Sequence, residues 1–431
     1  MNYVANKSFY PRVARSALIC LATASMSLQA NAQGSDVCLE IFSAMEIAAE
    51  SDPTVIRSLA RETGAESVVD EIKSVRRPQL STFGRSGFGD ESVVDSGVSN
   101  QAGIQISQRI FDFGDYKLGR AAADAGLEAA RFRTADERVE AARRAATAYL
   151  SVLAADEKLA LTQERKVGFQ NQLTALRRLI EVGGATLTEE TTVSAEVADA
   201  DVLAFQLELE RREALIELNL STSSDQPPCA GSAARIGRLM AGSAIVTAQD
   251  VLSSNPEIEA LRFEVDQSVA DGKRQRRAHL PIFNVVATGS YASAGEFDNF
   301  EYRDRIGIDV SVPLYTGGAV KAAASRAAAR EEESRSELML AERRLRREVA
   351  TRNARADVLE RQLKARREAL NQKDRLLDAA RRERDAGTMT TRELVEIRLD
   401  YETSALQEID TRYALALEHL ETLFMDGRIR P

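Results

Sequence analysis

The sequence predicts a mainly α-helical protein with a small β part, laid out twice along one chain. Three observations carry this. Residues 306–314, Ile306-Gly-Ile-Asp-Val-Ser-Val-Pro-Leu314, alternate strictly: Ile306, Ile308, Val310, Val312 and Leu314 fall on one face, Gly307, Asp309 and Ser311 on the other. That is the period-two pattern of a strand with one apolar face. Behind it, Gly317-Gly318 opens a run over residues 318–386 without proline, dense in Ala, Arg, Glu and Leu. An earlier copy, Gly103-Ile-Gln-Ile-Ser-Gln-Arg-Ile-Phe-Asp-Phe-Gly114, introduces the same kind of run over 114–182.

The composition agrees with long helices. The 431 residues include no Trp, 5% aromatic and 29% charged residues, the signature of long-helix or coiled-coil chains. Residues 1–32 read as a secretory signal, with Lys7, Arg12 and Arg15 before a short apolar stretch and Ala30-Asn-Ala32 before Gln33. The stretch is too short to span a bilayer comfortably. Leu18-Ile-Cys20 makes a poor lipid-attachment site, because Ile19 is bulky and Cys20 lies inside the apolar core. Losing the leader's three cations takes the net charge from −9 to −12. Such an acidic chain is no nucleic-acid binder, since phosphate contacts need a basic face. Export leaves Cys38 and Cys229, either a disulfide between the N-terminal tail and the mid-chain linker or two separate thiols. Neither has zinc-ligand spacing.

The halves match at four places with an offset of 203 or 204: Ser51-Asp-Pro53 with Ser254-Asn-Pro256, Arg77-Pro78 with Leu280-Pro281, residues 106–114 with 310–318, and Gly183 with Gly387. Four matches in order mean tandem duplication. The first repeat covers 33–225, with a helix from Asp52-Pro53, a β-hairpin over 78–112, a long helix over 114–182 and a return helix over 184–221. The second covers 226–431: a linker, a helix over 256–278, a hairpin over 281–315, a long helix over 318–386 and a return helix over 388–426. Asx-Pro steps start helices, whereas Pro78 and Pro281 end them. Each long run reaches roughly 100 Å at 1.5 Å per residue. Val349, Ala356, Leu363, Leu370 and Leu377 recur every seven residues, a coiled-coil seam. Four strands cannot close a barrel, for which about eight is the practical minimum, and an open edge is intolerable in lipid. Hairpins that enter a membrane therefore imply a barrel shared among copies of the chain.

This layout resembles the TolC-like outer membrane factors over essentially the whole exported chain. It rests on both Asx-Pro helix starts, both hairpins behind proline, Arg109-Ile-Phe-Asp-Phe-Gly114 and Pro313-Leu-Tyr-Thr-Gly-Gly318 at the strand-to-helix junctions, and the glycine turns. The resemblance implies a homotrimer in the outer membrane. Its twelve-stranded β-barrel, four strands per chain, would continue into a long α-helical barrel across the periplasm. It also implies a passive exit duct, not an enzyme, without cofactor, metal or catalytic residues. Its partners would be a periplasmic adaptor (membrane fusion) protein, an inner-membrane transporter of ABC or proton-driven type, and outer membrane lipid.

Family function lies at the periplasmic tip. By position, the acidic gate ring falls on Glu393 and Glu396, which share a helix face and would line a cation-binding constriction. The alternative is that both carboxylates merely complement the helix dipole. Latch candidates are Thr188, Glu189 and Arg384. Here the chain departs from the family, with Met389 and Arg384 where a basic residue and a tyrosine are familiar, and an Arg384–Glu189 pair as the substitute. Val182, Gly183, Gly184 and Gly387 form the adaptor-docking turns. No phosphate-cradling loop or nucleophile elbow is present in the sequence. Type I protein secretion is the first reading, multidrug or small-molecule efflux the second, and an exported coiled-coil structural or adhesive protein without a pore the rival.

Overall fold

A computed structural model describes residues 38–89, 97–229, 246–294 and 301–425. The expected signal over 1–32 lies outside the described residues. In chain order the elements are α1 (Ile41–Ser51), α2 (Pro53–Ser74), β1 (Gln79–Gly89), β2 (Gly97–Phe111), α3 (Asp115–Glu181), α4 (Leu187–Thr222), α5 (Ala248–Ser254), α6 (Pro256–Arg276), β3 (Ile282–Ala294), β4 (Glu301–Ser311), α7 (Ala319–Asp385) and α8 (Thr391–Met425).

Each half opens on two helices broken at the Asx-Pro step. Asp52 caps α2 by accepting the Thr54 N–H at 2.8 Å, and Asn255 caps α6 by accepting the Ile258 N–H at 3.1 Å. Both sit before a proline in extended backbone, with ψ of 131° and 122°, so α1 and α5 must end there. Those two short helices were not among the expected elements. α5 offers little periodic signal, burying only Val251 and Leu252.

The four strands form one antiparallel sheet in the order β1-β2-β3-β4. β4 stops at Ser311, not at residue 314, because Pro313 has no N–H for the ladder. α3 and α7 are 67 residues each, roughly 100 Å long at 1.5 Å per residue. The return helices start at Leu187 and Thr391, later than 184 and 388. Capping boxes set those starts: Thr186 with Glu189, and Thr390 with Glu393, exchange side-chain and backbone hydrogen bonds.

Helices lie four abreast. Near the sheet α2, α3, α6 and α7 are successive neighbours; farther out the order is α4, α3, α8 and α7. The heptad seam of α7 buries Val349, Leu363 and Leu377. Four apolar clusters hold the bundle among the described residues, the smallest packing Ala48 and Val55 on Ala141 and Ala145. One joins α1, α3, α4 and α8 through Met45, Tyr149, Leu218 and Phe424. A second joins α5, α6 and α7 through Val251, Ile258 and Leu345. The third, near the far turns, packs Phe169, Leu176, Val193 and Val395. Each large side chain so buried contributes about 1.5–3 kcal/mol. Alanines at 141, 142, 145 and 146, all fully buried, let α1 and α4 approach α3 closely.

Cys38 and Cys229 form a disulfide, with the Cα atoms 4.8 Å apart. Beside it, Leu39 N–H donates to Pro227 O at 2.8 Å and Cys229 N–H to Leu39 O at 3.0 Å. The buried Tyr149 hydroxyl donates to Leu39 O at 2.8 Å and accepts from Cys229 N–H at 3.1 Å. The start of the described chain is thereby fastened to the linker between repeats and to the middle of α3.

Candidate functional site: the sheet and the helical turns

The register divides the sheet into two unlike faces. Leu80, Ile106, Ala287 and Ile306 lie in one cross-strand row, and Val285 pairs with Ile308 in the next. Ile306 is 80% exposed and Ile308 67%. At one end of this apolar face Tyr291 and Tyr302 pack together, centroids 5.4 Å apart. At the other, Phe111, Phe113 and Phe283 form a second aromatic group, with centroids between 4.7 and 6.4 Å apart. Phe283 pairs with Val310 and Tyr291 with Tyr302, so the strand from one group to the other is nine residues with both aromatic residues included. That matches the length of a tilted membrane strand flanked by aromatic girdles. The opposite face carries Gln105, Thr288 and Arg305 in one row and Arg109, Asn284 and Asp309 in another. β1 and β4 each pair on one side only, leaving two bare edges.

The strand-to-helix junctions differ between repeats. In the first, buried Asp112 accepts Gly114 N–H at 3.3 Å and Tyr116 N–H at 3.2 Å, and pairs with Arg76 at 2.9 Å. Asp115 pairs with Arg274 at 2.9 Å and Arg109 at 3.3 Å. This network holds Phe113 at φ 49°, in the left-handed region, beside Gly114 at φ 90°. The second junction reaches the same geometry with Gly317 and Gly318, at φ 60° and 86°, and needs no carboxylate.

At the far end both turns are left-handed helix stops. Gly183 sits at φ 75°, and Gly184 N–H closes back on Leu179 O at 2.8 Å. Gly387 sits at φ 77°, and Thr388 N–H closes on Glu383 O at 2.9 Å. These glycines are required by the backbone whatever else they do. Val182 and Leu187 stand 79% and 71% exposed beside the first turn, an apolar tip.

The structure brings Glu189 and Arg384 together, 3.8 Å apart. Between them stands a residue that sequence reasoning missed. Thr391, 1% exposed, donates its hydroxyl to Glu189 Oε1 at 2.6 Å and accepts from Arg384 Nη2 at 2.8 Å. The Thr391 hydroxyl is the leading reason the Glu189 carboxyl is held below its usual range, followed by the Thr186 N–H of the capping box. Thr188 is exposed, with its side chain outside this contact, and Met389 is half-buried. Glu393 and Glu396 are both exposed on α8. Glu393 Oε2 accepts Thr390 N–H at 2.9 Å and the Thr390 hydroxyl at 2.8 Å, and the backbone bond leads in lowering its pKa. Glu393 thus has a capping role in the single chain, while its outward face stays free for another.

Comparison with known proteins follows the same lines. The profile of the outer membrane efflux protein family matches residues 44–223 and 247–423. Outer membrane efflux protein BepC of Brucella suis is 23% identical over 366 residues, covering 83% of this chain and 78% of BepC. Alkaline protease secretion protein AprF of Pseudomonas aeruginosa is 28% identical over 268 residues, covering 60% of this chain and 54% of AprF, so only about half of that relative is spanned. The crystal structure of a membrane protein from Pseudomonas aeruginosa superposes with a TM-score of 0.79 at 21% identity, over 90% of this chain and 92% of that one. A girdled sheet running into paired long helices, and a profile matching both repeats, lead to one conclusion: the chain belongs to the outer membrane efflux protein family.

Proposed function

We propose that three copies of this chain form one duct, and that the duct is the passive exit of a type I protein secretion machine. The observation that carries the duct is the sheet's two bare edges beneath one mainly apolar, aromatic-girdled face, on which Thr82, Gln108 and Asp304 are the polar residues between the girdles. Unpaired backbone groups cost several kcal/mol each in hydrocarbon, so β4 of one copy must meet β1 of the next. The flanks of the helical layer support the same closure. α4 leaves Val202, Phe205, Leu209, Ile216 and Leu220 more than half exposed, and α7 exposes Leu340 and Leu376 by at least half. Their spacing on α4 is that of a coiled-coil seam without its partner. The polar face of the sheet then lines a water-filled lumen.

At the tip, Glu393 and Glu396 from three copies form an acidic ring, which favours cations and tunes conductance. The Glu189–Thr391–Arg384 contact holds the two turns of each copy together. Val182, Leu187 and the Gly183 and Gly387 turns present the surface on which a periplasmic adaptor docks, coupling the duct to an inner-membrane transporter that supplies the energy. The secretion reading draws on AprF, whose name assigns it to protease secretion, and BepC, named an efflux protein, supports efflux as the alternative. Deleting the chain and comparing culture-medium proteins with drug susceptibility separates them. Secretion predicts loss of one or more large proteins from the medium with susceptibility unchanged; the reverse pattern assigns the duct to efflux.

A further inference from the structure

About 10 Å above the tip contact, α4, α3 and α8 share a second polar junction that the proposed function does not use. Glu196 and Arg398 each lie seven residues beyond the tip partners Glu189 and Thr391 on their helices, which at 1.5 Å per residue is about 10 Å. Glu196 of α4 pairs with Arg165 of α3 at 2.9 Å, Arg165 with Glu402 of α8 at 3.2 Å, and Glu402 with Arg398 at 2.9 Å. The side chains of all four are 7–18% exposed. Both guanidiniums flank the fully buried Phe169 ring, Arg398 at 4.5 Å and Arg165 at 5.6 Å from its centroid. Gly168 makes room for this: a Cβ there would lie 1.9 Å from Arg398 Nη2. Burial is the leading influence on Glu402, raising its pKa against the two arginines.

We propose that this alternating chain of charges is a second fastening between the two helical hairpins, which confines opening of the tip to the segment below it. The inference rests on reading the tip as the part that moves. Below the junction, α8 is held to α4 by the Thr391 hydroxyl on Glu189 and by the contacts of Val193 and Val395 around Phe169, while the 3.8 Å Glu189–Arg384 pair ties α4 to α7. Those separate with little left unsatisfied. At the junction, sliding or rotating α8 would strip Arg165 of Glu402 and leave like charges facing in a seam that excludes water. Breaking such a buried pair leaves an uncompensated charge, whereas a wholly apolar layer could slip without that penalty. The junction therefore sets register rather than merely adding adhesion.

The test uses spin-label distance measurements on the full-length trimer, with labels on α4 and α8 below the junction (T191C with R392C) and above it (R212C with A414C). The tip is loosened with Thr391→Ala. With the junction intact, only the lower pair should broaden and lengthen. Adding Glu402→Ala, or separately Gly168→Ala, should let the upper pair broaden as well. Gly168→Ala keeps all four charges and favours the helix, so it displaces Arg398 without threatening the fold. An upper pair that broadens with the junction intact overturns the proposal. So does one that stays narrow in both junction variants. Channel conductance, recorded on the same trimers, reports separately on the duct itself.

Discussion

A lysine scan along β4 tests how the sheet sits in the membrane. Tyr302 and Val310 pair with Tyr291 and Phe283, members of the two aromatic groups, so Ile306 lies midway between them. Its side chain shares the apolar row with Leu80, Ile106 and Ala287. Lysine on the lipid face at the midplane costs about 2–4 kcal/mol and about 0–1 kcal/mol near the interface. Ile306→Lys should therefore destabilise each copy by about 2–4 kcal/mol, acting three times in a closed ring, with Val310→Lys close to neutral. Gly307→Lys points the charge to the other face, where a Cβ meets nothing within 4 Å and Arg303 and Arg305 already stand. It should cost about 0.5 kcal/mol or less. The assay is urea unfolding of the oligomer in lipid vesicles, cross-checked by the temperature at which it dissociates on gels. Equal costs at Ile306 and Gly307, or a larger cost at Val310 than at Ile306, would refute the assignment of faces and depth.

Three further outcomes follow from particular contacts. Cutting the Cys38–Cys229 bond, which spans 191 positions of sequence, by reductant or by Cys→Ser at both sites should lower unfolding free energy by about 3–5 kcal/mol, read from denaturant titration with and without reductant. Burial, and then Glu257, Glu140 and Glu137, push the Asp136 carboxyl from 3.8 up to about 6. The folded chain holds this proton more tightly than the unfolded one, so stability is withheld at neutral pH and regained as pH falls from about 6 towards 3.8. Asp136→Asn should raise stability by about 2–3 kcal/mol at pH 7.5 and by almost nothing at pH 4, and equal gains at both would show that burial of this carboxyl is misjudged. Glu393→Gln with Glu396→Gln keeps the capping box, since glutamine also serves there, yet removes the proposed ring's charge. Divalent-cation block of the channel should weaken, and unchanged block would place the ring elsewhere.

What could be read from the chain alone divides by the distance over which each feature is encoded. Local chemistry was legible: Asp52-Pro53 and Asn255-Pro256 start helices, and Gly183 and Gly387 stop them. The alternation around Ile306 marks a face, and the offset of the matches reveals the duplication. Thr-x-x-Glu at Thr186 and Thr390 also announces both return helices, a signal that places their starts three residues later than glycine alone suggests. The short helix α5 was hidden because seven residues give too few turns for a period to emerge. Thr391 was hidden for another reason. Its partner Glu189 lies 202 positions away in sequence, and nothing local says that α8 shall lie against α3 and α4. The same holds for Arg165 and Glu402, whose residue types look like ordinary solvated helix charges until three helices bring them under Phe169. Cys38 and Cys229 stood as a pair or as two thiols until Leu39 and the linker were seen side by side.

The proposed duct requires that the open four-stranded sheet become a closed, conducting barrel only when copies of the chain join. Single-channel recording from purified oligomer of measured mass in a planar bilayer tests it most directly. Particles of three chains should insert and conduct, with block by divalent cations added on the side of the helical tip. Trimers that insert yet never conduct, even with Glu393 and Glu396 neutralised, or monomers that conduct alone, would contradict it.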